Sequence, residues 1–175
     1  MARFADAPEP RELGLKLINT VERHEPLQGM PIEFVFIDKA PTRNGRAVAG
    51  RARKLGGLSR WLIAQAHGET DGPFEAVLPM FVIEISHDIW QRLTDAQKVA
   101  LVDHELCHCI VRVNDKGEVK PGVLGHDVEE FVDIVERHGL WSPQLAVMAK
   151  ASAAACAGEL DDLIAKTAEG PEVAG

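Results

Sequence analysis

The chain has 175 residues and a formal net charge of -8, with 46% hydrophobic and 26% charged residues. This composition is ordinary for a globular protein, and the length suits one domain with an appended element. The negative charge argues against nucleic acid or an anionic membrane as a partner for the whole surface, although a local basic patch is compatible with it.

The N-terminal segment Met1–Pro10 lacks the apolar core of a signal peptide, and the chain has no run of 18 apolar residues. We therefore expect a cytoplasmic protein with no membrane partner. The three cysteines are an odd number without framework spacing, which predicts reduced thiols.

In the N-terminal half, apolar residues at helical spacing predict a helix over 10–24. Two β-rich runs predict strands over 32–37 and 80–86, and a weak alternation over 47–55 allows a further strand between them. Residues 58–66 fit either a short helix or a buried loop.

The best-defined helix begins after Thr94, because Thr94 and Gln97 form a capping-box pattern. Apolar residues at helical spacing continue this helix to Ile110. A loop over 114–125 and a helix over 127–138 follow, and an alanine-rich helix then begins at Ser142-Pro143. Strands followed by helices predict an α+β fold.

The motif of greatest interest is HExxH, formed by His104-Glu105-Leu106-Cys107-His108. Residues four apart lie on the same face of a helix, so both imidazoles can bind one zinc ion. Glu105 is then close enough to take a proton from a water bound to the metal. The alternative is a solvated stripe of polar side chains. Because the helix is capped and apolar, we favour the Zn²⁺ site. Cys107 lies between the two histidines, and we interpret it as a packed thiol.

A catalytic zinc site uses three protein ligands and leaves one position for water. The candidates for the third ligand are His126, Glu129 and Glu130. We favour His126, because imidazole suits zinc and because His126 lies at the predicted edge of a helix. In the alternative interpretation, His126 and Asp127 cap that helix and the glutamates are solvated. Asp103 or Asp127 could orient a ligand imidazole.

This arrangement resembles the phage metallopeptidase family, a zincin-like family related to SprT-like minimal zincins. The resemblance spans about residues 10–141 and rests on four segments: 93–97, 100–108, 125–131 and 137–141. It implies a compact domain in which a three-stranded sheet packs on the HExxH helix, with the third strand at the edge of the cleft. It also implies zinc bound by His104, His108 and a downstream residue, with Glu105 as the general base. SprT-like enzymes use a histidine shortly before a helix as third ligand, which matches His126.

We therefore expect a zincin-like domain over 10–141, a helical extension over 142–167, and flexible ends over 1–9 and 168–175. The expected activity is that of a zinc metalloendopeptidase of phage or prophage type, in a bacterial host cell, acting on protein or peptide. The strand over 80–86 could bind an extended peptide by strand addition. The chain has no tyrosine, so other residues, such as His87 or His138, would have to supply an oxyanion donor beyond zinc.

The second hypothesis is a non-catalytic zinc-binding module that binds protein or nucleic acid. Its cleft could supply the binding surface, or a basic segment over 43–60 could do so. That segment carries six cationic residues: Arg43, Arg46, Arg51, Arg53, Lys54 and Arg60. Without an interleaved aromatic platform, a solvated basic strand and loop is the simpler interpretation.

Overall fold

The β-branched and aromatic residues of two segments form the central strands of a four-stranded sheet. These strands are β2 (Ile32–Ile37) and β6 (Phe81–Ser86), which pair in parallel with Phe34 opposite Ile83. The computed structural model describes residues 2–43, 45–66 and 78–168. It divides into two compact units, Met1–Gly125 and His126–Gly175. The α+β class predicted from the sequence is confirmed.

The sheet of the first unit has two outer strands, β1 (Phe4–Asp6) and β5 (Gly50–Lys54), in the strand order β1-β2-β6-β5. Both outer strands are antiparallel to their neighbours. β1 lies within residues 1–9, for which the sequence predicted an irregular end. It forms because its backbone pairs with β2, and the side chain of Arg3 also lies 3.2 Å from Asp38. Two short strands, β3 (Thr42–Arg43) and β4 (Arg46–Ala47), form a separate hairpin.

Helices pack on the face of the sheet to which alternate residues of β6 point. Phe81, Ile83 and Ile85 are buried in one cluster with Val102 and Leu106 of the motif helix. Burial of each large apolar side chain stabilises the fold by about 1.5–3 kcal/mol. The helices of this unit are α1 (Pro8–Thr20), a 3₁₀ helix (Glu22–Leu27), α2 (Gly57–Ala66), α3 (His87–Trp90) and α4 (Asp95–His108).

The predicted capping box at the start of α4 is confirmed. The Gln97 N–H donates to Thr94 Oγ1 at 3.3 Å, and the Thr94 N–H donates to Gln97 Oε1 at 2.9 Å. The predicted continuation of this helix to Ile110 is wrong. Cys109 takes an extended conformation (φ -81°, ψ 115°), so α4 ends at His108 and the HExxH motif forms its last turns.

The segment after α4 is a β-hairpin where the sequence predicted helix and then loop. β7 (Cys109–Val113) pairs antiparallel with β8 (Val119–Val123), and Cys109 lies opposite Val123. Pro121 lies within β8, and a proline inside a run weakens the sequence signal for a strand.

The second unit contains α5 (Val132–His138) and α6 (Pro143–Ala168). α5 begins later than the predicted position 127, because Phe131 is extended and its N–H donates to the Glu130 carboxylate at 2.8 Å. Gly139 ends α5 with φ 66°, and the Leu145 N–H donates to Ser142 Oγ at the start of α6. The sequence predicted a flexible C-terminal segment over 168–175. Of this segment, residues 169–175 lie outside the described residues.

Candidate metal centre

The last turns of α4 bring the two motif histidines together. His104 Nε2 and His108 Nε2 are 3.3 Å apart, and their ring planes are inclined by 87°. Zinc binds imidazole nitrogen at about 2.0–2.1 Å in tetrahedral geometry, which separates two nitrogen ligands by about 3.3 Å. The spacing of this pair therefore matches that of two ligands of one tetrahedral ion.

A backbone carbonyl fixes the orientation of the His108 ring. His108 Nδ1 donates to the Leu124 carbonyl oxygen at 2.6 Å, and the Leu124 N–H donates to the His108 carbonyl at 2.8 Å. A proton on Nδ1 leaves the lone pair on Nε2, the nitrogen that faces His104. The sequence did not predict this partner, because a carbonyl group has no residue-type signature and the β7–β8 hairpin brings it into place.

The carboxylate of Glu105 is buried between α4 and β5. Glu105 is 3% exposed, and its carboxylate accepts a hydrogen bond from the backbone N–H of Ala52. A Cβ atom added to Gly50 would lie only 2.5 Å from Glu105 Oε1, so glycine leaves the space that the carboxylate occupies. Glu105 Oε2 has no hydrogen-bond partner among the described residues, and it is the acceptor that a bound water could use.

Burial raises the pKa of Glu105 from 4.5 to about 7. The charge of His108, the Ala52 N–H and the charge of Arg51 act in the opposite direction and lower it. Near neutral pH the carboxyl group can therefore both accept and release a proton, which is the property of a general base that later acts as an acid.

The edge of the sheet near Glu105 is β5, and not the predicted strand over 80–86. β6 pairs with β2 on one side and β5 on the other, so its backbone groups are already used in the sheet. β5 is the outermost strand on this side of the sheet. The backbone groups of Ala49 and Leu55 form hydrogen bonds toward β6. Because backbone groups alternate in direction along an antiparallel strand, those of Ala52 and Lys54 point away from β6.

The three candidates for a further ligand lie in the second unit, in the segment that precedes α5. The prediction that they lie on or at the edge of a helix is wrong, because α5 begins only at Val132. His126 is the first residue of the second unit, and its Nδ1 lies 3.6 Å from Glu129 Oε1. Glu130 bonds to the backbone of its neighbour Phe131.

The other predicted polar residues have varied partners. Asp103, one of two residues that could orient a ligand imidazole, accepts a hydrogen bond from His24, a residue that the sequence did not single out. His87 packs edge-on against Phe36, with ring centroids 5.0 Å apart, and His138 is the last residue of α5. In the basic segment, Arg53 forms an ion pair with Glu84 at 2.6 Å.

The cysteines are not linked to one another by a disulfide among the described residues. Cys109 is buried, and burial raises the pKa of its thiol to about 12. Cys156 is exposed. No helix of the described ranges combines the length and the apolar character that crossing a bilayer requires.

A helix with two convergent histidines and a buried carboxylate, under the edge of a sheet, is typical of metal-dependent hydrolases. The chain belongs to the family described as "Putative phage metallopeptidase", whose model matches residues 2–154. A family of metallopeptidases implies a bound metal and a protein or peptide substrate. No curated protein and no solved structure matched the chain.

The raised pKa of Glu105 makes the stability of the metal-free protein depend on pH. Between about pH 4.5 and 7 the unfolded chain loses this proton first, so the free energy of unfolding falls as the pH rises. Glu105→Gln removes this titration. Relative to the unsubstituted chain, we expect the variant to gain about 2 kcal/mol between pH 5 and pH 8. Urea denaturation in the presence of a chelator measures this difference.

Glu12→Gln is the matched control, because Glu12 lies on α1 and is exposed, so the substitution removes no buried carboxyl group. A pH dependence for Glu105→Gln no greater than that of this control would show that the burial of Glu105 does not control its ionisation.

Proposed function

We propose that this protein is a zinc-dependent endopeptidase in which His104, His108 and His126 bind the metal and Glu105 is the general base. The observation that carries this proposal is the 3.3 Å separation of the two Nε2 atoms, on a helix that also holds the buried Glu105 carboxylate. Imidazole ligands suit zinc, and three of them leave one position for water.

Chain connectivity supports His126 as the third ligand. The Leu124 carbonyl lies 2.6 Å from His108 Nδ1, and His126 follows Leu124 by two residues. Two residues span at most about 7 Å, so the chain can return a side chain toward the pair. Glu129 and Glu130 are further along the chain and, as carboxylates, are the less favoured alternatives.

The bound metal would lower the pKa of its water and polarise the scissile carbonyl. The role of Glu105 follows from its surroundings. Gly50 leaves space for the carboxylate and the Ala52 N–H holds it, while Oε2 can accept the proton of the water. The same carboxyl group then delivers that proton to the leaving amine.

An extended substrate would bind along β5. The Ala52 carbonyl and the backbone groups of Lys54 point away from β6 and can pair with a peptide, while the Ala52 N–H holds Glu105. A peptide bound as an added strand can extend beyond either end of β5, which favours internal cleavage.

Glu105→Gln tests the assignment of the general base. We expect zinc binding to remain, because the substitution leaves the three imidazoles in place. We expect the rate of peptide hydrolysis to fall by at least 10²–10⁴-fold, since the amide cannot accept the proton. Metal analysis together with cleavage of unfolded casein measures both properties, with Glu12→Gln, at an exposed position of α1, as the control that keeps activity.

Hydrolysis that survives in Glu105→Gln would contradict the peptidase mechanism. A chain that binds zinc but cleaves no peptide with Glu105 intact would instead favour a non-catalytic binding module. The exposed hairpin of β3 and β4, which carries Arg43 and Arg46, is then the first surface to test for protein or nucleic-acid binding.

The third ligand is tested by three alanine variants measured side by side. We expect His126→Ala to weaken zinc binding by at least tenfold in a competition with a chromogenic chelator, because one of three protein ligands is lost. Glu129→Ala and Glu130→Ala should retain the affinity of the unsubstituted chain. Weakening confined to one of the glutamate variants would move the third ligand to that carboxylate.

A further inference from the structure

A second group of metal-binding side chains lies in the first unit, on a different face of α4. It consists of His24 from the 3₁₀ helix and of Asp103 and Cys107 from α4, and we refer to it as the His24 cluster. One ligand atom from each residue lies within 4.8 Å of the other two. Asp103 and Cys107 are one helical turn apart, so they share a face that is rotated from the face of the motif histidines.

The separations within the His24 cluster are close to those of a tetrahedral site. His24 Nε2 lies 2.6 Å from Asp103 Oδ1, and Cys107 Sγ lies 4.0 Å from the same oxygen. Ligands of one zinc ion would be about 3.3 Å apart for nitrogen and oxygen, and about 3.6 Å apart for sulfur and oxygen. Side-chain shifts of less than about 1 Å would therefore bring all three atoms to one ion.

The surroundings of the His24 cluster differ from those of a surface group of polar residues. His24 is 1% exposed, so its ring is held in place by packing. Asp103 and Cys107 are partly exposed, which leaves an approach for the ion and a position for water as the fourth ligand. The cluster is buried on one side, and its His24 ring is held in place before any metal binds. Both features favour metal binding over the loose contacts that exposed polar side chains make.

We propose that the His24 cluster is a second zinc site, which connects the 3₁₀ helix to α4. A thiolate, an imidazole and a carboxylate together favour zinc over magnesium or calcium, which prefer oxygen ligands alone. Binding displaces the proton between His24 Nε2 and Asp103, either to Nδ1 or to solvent, and releases the thiol proton of Cys107 to solvent. The proposal is independent of catalysis, because none of these residues belongs to the proposed active site.

Cobalt substitution distinguishes this site from the proposed catalytic one. Cobalt bound by thiolate gives an intense ligand-to-metal charge-transfer band, and a site of three imidazoles cannot give one. We expect the full chain loaded with cobalt to show this band, Cys107→Ser to lose it, and Cys156→Ser, at an exposed thiol, to keep it. Zinc analysis after equilibrium dialysis should fall from two ions per chain to one in Cys107→Ser.

His24→Gln should also remove the band, and circular dichroism of the same sample shows whether this buried substitution is folded. If it does not fold, Cys107→Ser still decides the outcome, because Cys107 is only partly buried. Absence of a thiolate band in the unsubstituted chain would overturn the proposal. So would a band that persists in Cys107→Ser. Loss of zinc from the motif histidines alone would leave the band unchanged and would contradict only the proposed function.

Discussion

The packing of the Glu105 carboxylate against Gly50 is the constraint on which the site depends. Any larger residue at position 50 would place a carbon atom 2.5 Å from Glu105 Oε1, so α4 can approach β5 this closely only because position 50 is glycine. The Ala52 N–H then holds the carboxylate at the edge of the sheet. An acidic side chain is thus buried beside the edge strand at which we propose that a peptide pairs, one residue from a histidine of the proposed metal site.

This arrangement costs stability, because the ionised carboxylate of Glu105 is disfavoured by burial. The apolar core on either side of it offsets that cost. Val102 and Leu106 are fully buried against Phe81, Ile83 and Ile85 of β6. The site is therefore built on a helix and a sheet that are held by the main core, and such elements position side chains more accurately than loops do.

Local signals in the sequence predict α1, α4, α5 and α6, apart from some of their ends, as well as the two central strands and the HExxH histidines. These features depend on periodicity and on a capping box within a few residues. The remaining features depend on pairing between distant segments. β5 as the edge strand, the hairpin that brings the Leu124 carbonyl to His108, and the contact of Gly50 with Glu105 all arise from tertiary packing. His24 was missed for the same reason, since its partner Asp103 lies 79 residues away.

A crystal structure of the zinc-loaded chain would show whether the Glu105 carboxylate faces a metal-bound water. We expect an ion bound by His104 Nε2 and His108 Nε2, with a bound water within hydrogen-bond distance of the Glu105 carboxylate and with Gly50 still in contact with that carboxylate. An ion coordinated directly by Glu105, or a Glu105 side chain turned away from the metal-bound water, would contradict this expectation.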